Sequence, residues 1–371
     1  MLHHSSRLRG AVFYCSAELA QSILTIALRF CDRLQMKPLV VTAMPHSAAA
    51  KHFLLLRLCL VYALAIALWL LLRLMFFDRL WWLAMVNTLA LYLFVPLPVL
   101  LLWGVWQRQG WALTLLSIPI VAGVLLYGSL FVPNQTANEA ANLSVMTFNV
   151  LYSNGDDVAI GQAIRTGGAD IVGLQEYTPR HADTLPQMLQ AQYPYHAETS
   201  TSGGTGVGLL SRFPIERAEP FPLPPRNLAL HMVLRVDDRP LHVVIVHLEA
   251  NHLYRQPLAK LARSAHSYYA KKAAEVKFIQ QEIRSVQEPL LVLCDCNFTD
   301  TSQSYADLRK LLNDSFAEAG WGLGHTFPTF APVPLVRLDY IWHSDRVRAI
   351  AAKVGADGRS DHLPVVVQLS W

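Results

Sequence analysis

Charge is scarce in this chain. Asp, Glu, Lys and Arg supply only 16% of its 371 residues, against 53% hydrophobic residues, too few for an ordinary soluble surface throughout. The shortage is uneven, and two stretches, 24 residues from Leu80 to Trp103 and 22 from Trp111 to Val132, carry no charge at all. Cysteine is sparse too. Cys15, Cys31, Cys59, Cys294 and Cys296 form an odd, scattered set without Cys/His zinc spacing, which excludes a disulfide framework and a structural zinc site. A bridge between Cys294 and Cys296 demands strained geometry across a two-residue spacing on a strand, so both read as small buried apolar residues. Basic excess is missing where nucleic acid would need it. Residues 1–132 hold 10 Lys/Arg and 3 Asp/Glu, a net +7, which leaves −3 for residues 133–371 and no support there for a nucleic-acid footprint. Internal repeats and low-complexity tracts are absent.

What is present at the front is apolar length. Phe53 to Phe77, Leu80 to Trp103 and Trp111 to Val132 each exceed the roughly 20 residues that cross a hydrocarbon core of about 30 Å. Arg57 and Arg73 lie near the ends of the first stretch, where their stems can snorkel. Trp81, Trp82, Trp103, Trp106 and Trp111 cluster at the segment ends, as in an interfacial belt. Three spans exclude a cleaved signal peptide and predict three transmembrane helices over 53–77, 80–103 and 111–132. Ahead of them, residues 1–52 are basic and predict a cytoplasmic segment. The Lys/Arg bias then places residue 133 onward outside the cytoplasm, on the periplasmic side in a bacterium. Ala11 to Phe30 reads as a helix; as a fourth span it would reverse that orientation.

Residues 133–142 (PNQTANEAAN at Pro133) form a polar linker, and from Leu143 to the end strands alternate with helices. Strands are predicted at 143–149, 170–175, 207–211, 229–236, 241–248, from Leu290 through Asn297, at 337–344 and over the last residues. Helices are predicted at 156–167, 179–192, 257–285 and 305–312. Asp237 to Pro240 marks a hairpin turn. The pattern predicts two packed sheets covered by helices, an α/β (α+β) domain over 143–371.

The chemistry gathers at strand ends. Leu290 to Asp300 (LLVLCDCNFTD) is an apolar strand running into Asp295 and Asn297. Residues two apart share a face, so this carboxylate and amide face one cleft, suited to activating water and holding an anion. Polar residues stop other apolar runs in the same way: Asn149 in MTFNV, Glu176 in LQE, His247 in IVHLE, Asp339 in RLDYIW, and Asp361 with His362 in SDHLP. Singly, Asn149 and Asp361 fit strand-end turns, His247 a satisfied histidine, and Asp339 an ion pair with Arg337. His252, Arg255, Lys271 and Lys272 read as solvated surface.

In their order and wording, together with GLLSRFPI at 208–215, these motifs resemble the endonuclease/exonuclease/phosphatase superfamily, the phosphohydrolases related to deoxyribonuclease I. The resemblance covers about residues 143–371 and implies a four-layer αββα sandwich. It implies a Mg²⁺ or Mn²⁺ ion held by Glu176 with Asn149 and Asp361, hard oxygen donors that suit such an ion. It further implies Asp295 as the base that activates water, Asn297, His247 and His362 as donors to phosphate oxygens, and Asp339 as the partner orienting His362. The family pattern has Gly and an apolar residue where Cys294 and Cys296 stand, which bears on the close backbone packing that Gly permits. The expected activity is that of a membrane-anchored, metal-dependent phosphohydrolase, most simply a phosphodiesterase. Its expected partners are a bilayer and a phosphoester substrate (phospholipid headgroup, nucleotide or nucleic acid); no protein partner is inferred. A nuclease and a catalytically silent binding module are the alternatives.

Overall fold

The computed structural model describes residues 46–132, 140–224, 227–251 and 256–371. Expectations for residues 1–45, for most of the linker, and for His252 and Arg255 lie outside these residues. Two compact units emerge, one of Phe77–Thr88 with Val132–Trp371, the other containing the remaining apolar helices.

The helices begin with α1 (His46–Phe76), α2 (Trp81–Thr88), α3 (Pro96–Trp106) and α4 (Gly110–Tyr127). By length and composition, Lys51–Phe76 and Gly110–Phe131 can each cross a membrane. The middle stretch, Trp81 to Trp106, is broken between two helical parts and counts as a third crossing only if both halves are one span. Within their own unit, α1, α3 and α4 share a core of Leu55, Cys59, Leu100, Ala112 and Leu116, while Leu74, Leu102, Trp106 and Trp111 are exposed. Apolar outer faces of this kind suit lipid.

From residue 143 the elements are β1 (Leu143–Asn149), α5 (Asp157–Gly167), β2 (Ile171–Gln175), α6 (Pro179–Leu189), β3 (Tyr195–Thr199), β4 (Val207–Ser211) and β5 (Ile215–Leu223). They continue with β6 (Asn227–Val236), β7 (Arg239–His247), α7 (Leu258–Ile283), β8 (Leu290–Asp295), α8 (Gln303–Leu308), β9 (Asn313–Asp314), α9 (Ser315–Ala319), β10 (Asp339–His343), β11 (Arg348–Val354) and β12 (Val365–Ser370). They build two six-stranded sheets, ordered β11-β12-β1-β2-β4-β3 and β5-β6-β7-β8-β10-β9. Each sheet holds one parallel pair, β1 with β2 and β7 with β8. A parallel pair needs a crossover, supplied by α5 in the first sheet and α7 in the second.

Local chemistry sets these elements. Asp156 caps α5 by accepting from the Ala159 amide, and Gly168 ends it at φ 64°, a left-handed stop that glycine tolerates. Thr178 caps α6. Strand alternation then sorts side chains between layers. In β8, Leu291 and Leu293 enter the core between the sheets, whereas Leu290, Val292 and Cys294 enter the core shared with Ile279 and Ile283 of α7. In β1, Val145 faces the sheet interface, and Met146 and Phe148 face α5 and α6. The order is helices, sheet, sheet, helices, the expected four-layer αββα sandwich. Its sheets approach closely: a Cβ on Gly173 would lie 2.6 Å from Leu293 Cδ1.

Cys294 and Cys296, expected as separate apolar residues, are joined by a disulfide. The strand ends at Asp295 and the chain turns at Asn297, φ 49°. The Cα–Cα distance between the two cysteines is 5.0 Å, inside the range a disulfide spans. Both residues still face away from the cleft, in the α7-side core.

Candidate active site

The same alternation that fills the inter-sheet core carries polar residues to its end. Asn149 continues the inner face of Val145 and Thr147, Asp295 that of Leu291 and Leu293, and His247 that of Val243 and Ile245. Asp339 opens the inner face that Ile341 continues. Strand register then sets them side by side. His247 pairs with Asp295 across β7 and β8, and Asp339 pairs with Asp295 across β10 and β8. On the facing sheet Asn149 pairs with Gln175, next to Glu176.

Asp295 is fully buried, and a buried carboxylate is tolerated only with partners. Its Oδ2 accepts from Asn149 Nδ2 at 2.8 Å and its Oδ1 from the Asn297 backbone amide at 3.1 Å. Oδ2 also lies 3.3 Å from His247 Nε2 and 3.8 Å from His362 Nε2. Burial alone would raise its pKa, but His362, His247 and Asn149 outweigh it and hold the carboxyl well below the usual range. Asp295 is therefore ionised. His362 shows the converse: burial disfavours its charge, yet Asp339 and Asp295 lift its pKa to about 10. Its Nδ1 meets Asp339 Oδ2 at 2.8 Å, so the proton of this pair sits on the imidazole. The pair is Asp339–His362, for Arg337 turns to Asp314 at 2.9 Å instead.

Glu176 lies just past β2 at φ 56°, in the left-handed region that non-glycine residues seldom adopt. This turn directs its carboxylate to Asn149 Nδ2 (3.2 Å) and the Tyr152 amide (2.9 Å). Asn149 thus bridges Glu176 and Asp295, while its Oδ1 accepts from the Leu151 amide. Asn297 differs from the expectation that it shares a strand face with Asp295. It lies beyond the strand, at φ 49°, and its side-chain amide donates to the Leu248 carbonyl at 3.1 Å. One of that amide's two N–H donors is so used.

Three side-chain atoms here are buried without a hydrogen-bond partner among the described residues: His247 Nε2, Asp339 Oδ1 and Asp361 Oδ1. Burial raises the Asp361 pKa; His362 opposes this, while Glu176 and Asp295 add to it. Asp295, Asp339 and His362 place one ligand atom each within 4.8 Å of one another. Asp339 and His362 in that trio are spent on each other, however, whereas Glu176 and Asp361 are oxygen donors next to Asp295. An oxygen-rich set with an orphaned carboxylate oxygen fits a hard divalent cation.

Several contributors carried no signal of their own. Gly204, in the turn before β4, accepts from His247 Nδ1 at 2.6 Å through its carbonyl; burial lowers the pKa of this histidine, but Asp295, Glu176 and the Gly204 carbonyl raise it overall, which favours the ring with both nitrogens protonated. A Cβ on Gly204 would stand 3.4 Å from Glu176 Cδ. Ser360 donates to the Asn149 carbonyl at 2.6 Å and accepts from the His362 amide at 3.2 Å. Phe327 packs its ring 4.7 Å from that of His362. Lys272, expected on the surface, is buried, with its ammonium donating to the carbonyls of Glu249 and Cys296; Lys271 pairs with Glu249 at 3.0 Å.

A model of the endonuclease/exonuclease/phosphatase family matches residues 146–362, more than half of the chain. No curated protein matches it. Among solved structures, an endonuclease/exonuclease/phosphatase from Bacteroides vulgatus is 18% identical at TM-score 0.51, covering 62% of this chain and 98% of that one. A protein from Enterococcus faecalis, described as functionally unknown, is 18% identical at TM-score 0.50, with 62% and 99% covered. A humanised D. rerio TDP2 is 18% identical at TM-score 0.50, again with 62% and 99% covered. At this identity the structures speak for the fold alone. The family match, laid over the cluster around Asp295, settles the membership: the chain belongs to the endonuclease/exonuclease/phosphatase family of phosphoester-hydrolysing enzymes.

Proposed function

We propose that this hydrolase is a membrane-anchored, divalent-metal-dependent phosphodiesterase whose catalytic unit works outside the cytoplasm. The observation that carries the chemistry is the ionised, buried Asp295 with His247 and His362 converging on its Oδ2. Asp295 aligns the attacking water and takes its proton as the new P–O bond forms and the bond to the leaving oxygen breaks. His362, charged through Asp339, donates from Nε2 to a non-bridging phosphoryl oxygen. His247, raised toward its charged form by Asp295 and with its Nδ1–H committed to Gly204, offers its Nε2–H beside Asp295 Oδ2, and Asn297 offers its second amide N–H. Donors already aimed where charge grows lower the barrier by about 3 kcal/mol each. A bound Mg²⁺ or Mn²⁺ would supply Lewis-acid stabilisation of the phosphoryl oxygens, held by Glu176 and Asp361 with Asn149.

Anchoring is supported by the two long apolar helices and the bent third stretch. The Cys294–Cys296 disulfide suits an oxidising compartment and agrees with the orientation drawn from Lys/Arg bias. A phosphoester at a bilayer is favoured over duplex DNA, because a net charge of −3 beyond residue 132 gives weak counterion-release attraction. The test compares headgroup release from phospholipid liposomes with plasmid cleavage, each with Mg²⁺ and with chelator. Headgroup release that needs the metal supports the reading. DNA cleavage that falls steeply with salt, with liposomes untouched, overturns its substrate half.

A further inference from the structure

The catalytic unit recruits a segment from far upstream, at the start of the second apolar stretch of the sequence. Phe77–Thr88 is part of the same compact unit as Val132–Trp371, and one set of its contacts falls on a short loop and the start of the helix that follows it. That loop, Phe298 to Ser302, runs directly from Asn297 into α8. The last carbonyls of a helix lack intrahelical donors, and α2 ends at Thr88. Thr301 Oγ1 donates to the Asn87 carbonyl at 2.5 Å and Thr299 Oγ1 to the Thr88 carbonyl at 3.3 Å. At the other end of the loop, the Gln303 amide, at the start of α8, donates to Asp78 Oδ2 at 2.5 Å. Asp78 is in turn gripped by Asn87, whose Nδ2 donates to its Oδ1 at 2.8 Å. Asn87 is fully buried.

A second line of contact reaches Asn297 itself. Trp81 and Met85 of α2 pack with Leu261, Ala265, Tyr268 and Tyr269 of α7, and Thr88 Oγ1 meets the Tyr269 hydroxyl at 3.1 Å. Tyr268, held in that cluster, donates to the Asn297 carbonyl at 2.7 Å. Asn297 is the residue at φ 49°, a conformation that persists only where its surroundings over-determine it. Its backbone amide simultaneously orients Asp295 Oδ1.

We infer that Asp78, Asn87 and Thr301 are positioning residues for the hydrolytic site: the upstream segment clamps the Phe298–Ser302 loop, and so fixes the left-handed Asn297 against Asp295 and the phosphate. The inference rests on the assignment of Asn297 and Asp295 to the reaction, but the two fail separately. Full-length protein in detergent micelles is assayed as Asp78→Ala, Asp78→Asn, Thr301→Val and Thr301→Ser. Tyr193→Phe, which removes a buried hydroxyl bonded to the Ala169 carbonyl at 2.8 Å, serves as a control for lost stability. Asp78→Ala and Thr301→Val lower kcat about tenfold with a smaller change in KM, as expected for misplacement well under 1 Å. Asp78→Asn and Thr301→Ser, which keep an acceptor and a donor, recover most of the rate. Tyr193→Phe shifts the melting temperature and leaves kcat alone. Melting shifts in the Asp78 and Thr301 variants with wild-type kcat and KM would overturn the inference, provided Asp295→Asn is inactive. An active Asp295→Asn would instead remove the underlying assignment.

Discussion

The side-chain amide of Asn149 donates to the Asp295 carboxylate at 2.8 Å across a sequence separation of 146 residues. One residue ends a strand of the first sheet and the other a strand of the second, so this bond ties the two halves of the sandwich at the candidate active site. Through its second contact, to Glu176 at 3.2 Å, it also couples the expected base to the expected metal ligand.

Replacing Asp295 with Asn keeps the shape and removes the charge that His247 and His362 surround. Turnover is expected to fall about a thousandfold, within the range for losing a positioned acid or base, while near-ultraviolet circular dichroism stays native. Wild-type turnover would rule out Asp295 as the proton acceptor.

Protonation of His362 gives a signed pH dependence. Its folded pKa, about 10, lies above the unfolded value near 6.5. The charged pair with Asp339 therefore contributes its full stability below about pH 6.5, and that contribution is lost as pH rises through about 10. Asp339→Asn is expected to flatten melting temperature against pH across this window and to move the alkaline limb of the rate profile to lower pH. An unmoved limb would assign it to another group.

Chelator treatment is expected to abolish hydrolysis, with recovery on adding Mg²⁺ or Mn²⁺. Glu176→Gln is expected to raise the half-saturating metal concentration about tenfold or more, since it removes a charged oxygen donor. Saturation at the wild-type concentration would exclude Glu176 from the ligand set.

The disulfide makes a direct chemical prediction. Alkylation of denatured, unreduced protein followed by peptide mass spectrometry should leave Cys294 and Cys296 unlabelled and label Cys59, a free cysteine. Labelling at all three would mean that the bond does not form.

Much of this site was readable because strands alternate. His247 and Asp295 each fall two residues beyond an inward-facing aliphatic residue, Asn149 four beyond Val145, and Asp339 two residues before Ile341, so a period of two, continued to the strand's end, brings them to one face. The four layers followed from the same pattern. What escaped depends on where alternation stops. Asn297 was extrapolated along a strand that ends at Asp295, and the disulfide followed from that same ending. Gly204 and Ser360 act through loop geometry, which no periodicity marks. β5 carries Pro220 and Pro222 and survives only as an edge strand, a placement that proline permits but a sequence pattern does not announce. α2 was hidden for a different reason. A Trp-rich apolar helix looks alike whether lipid or protein covers it, and its place in the catalytic unit is set by contacts more than 170 residues downstream.

The registered pairs Asn149–Gln175 and His247–Asp295 have a consequence for how this enzyme can vary. Each closes a parallel pair whose two strands are joined through a long crossover, so a helix there can change its outer face while the paired ends stay level. An insertion inside any of these four strands has no such freedom. It would turn one polar tip toward a helix layer and an aliphatic side chain toward the candidate site. Tolerance to insertion should therefore be high in the peripheral turns, and vanish over the last few residues of β1, β2, β7 and β8.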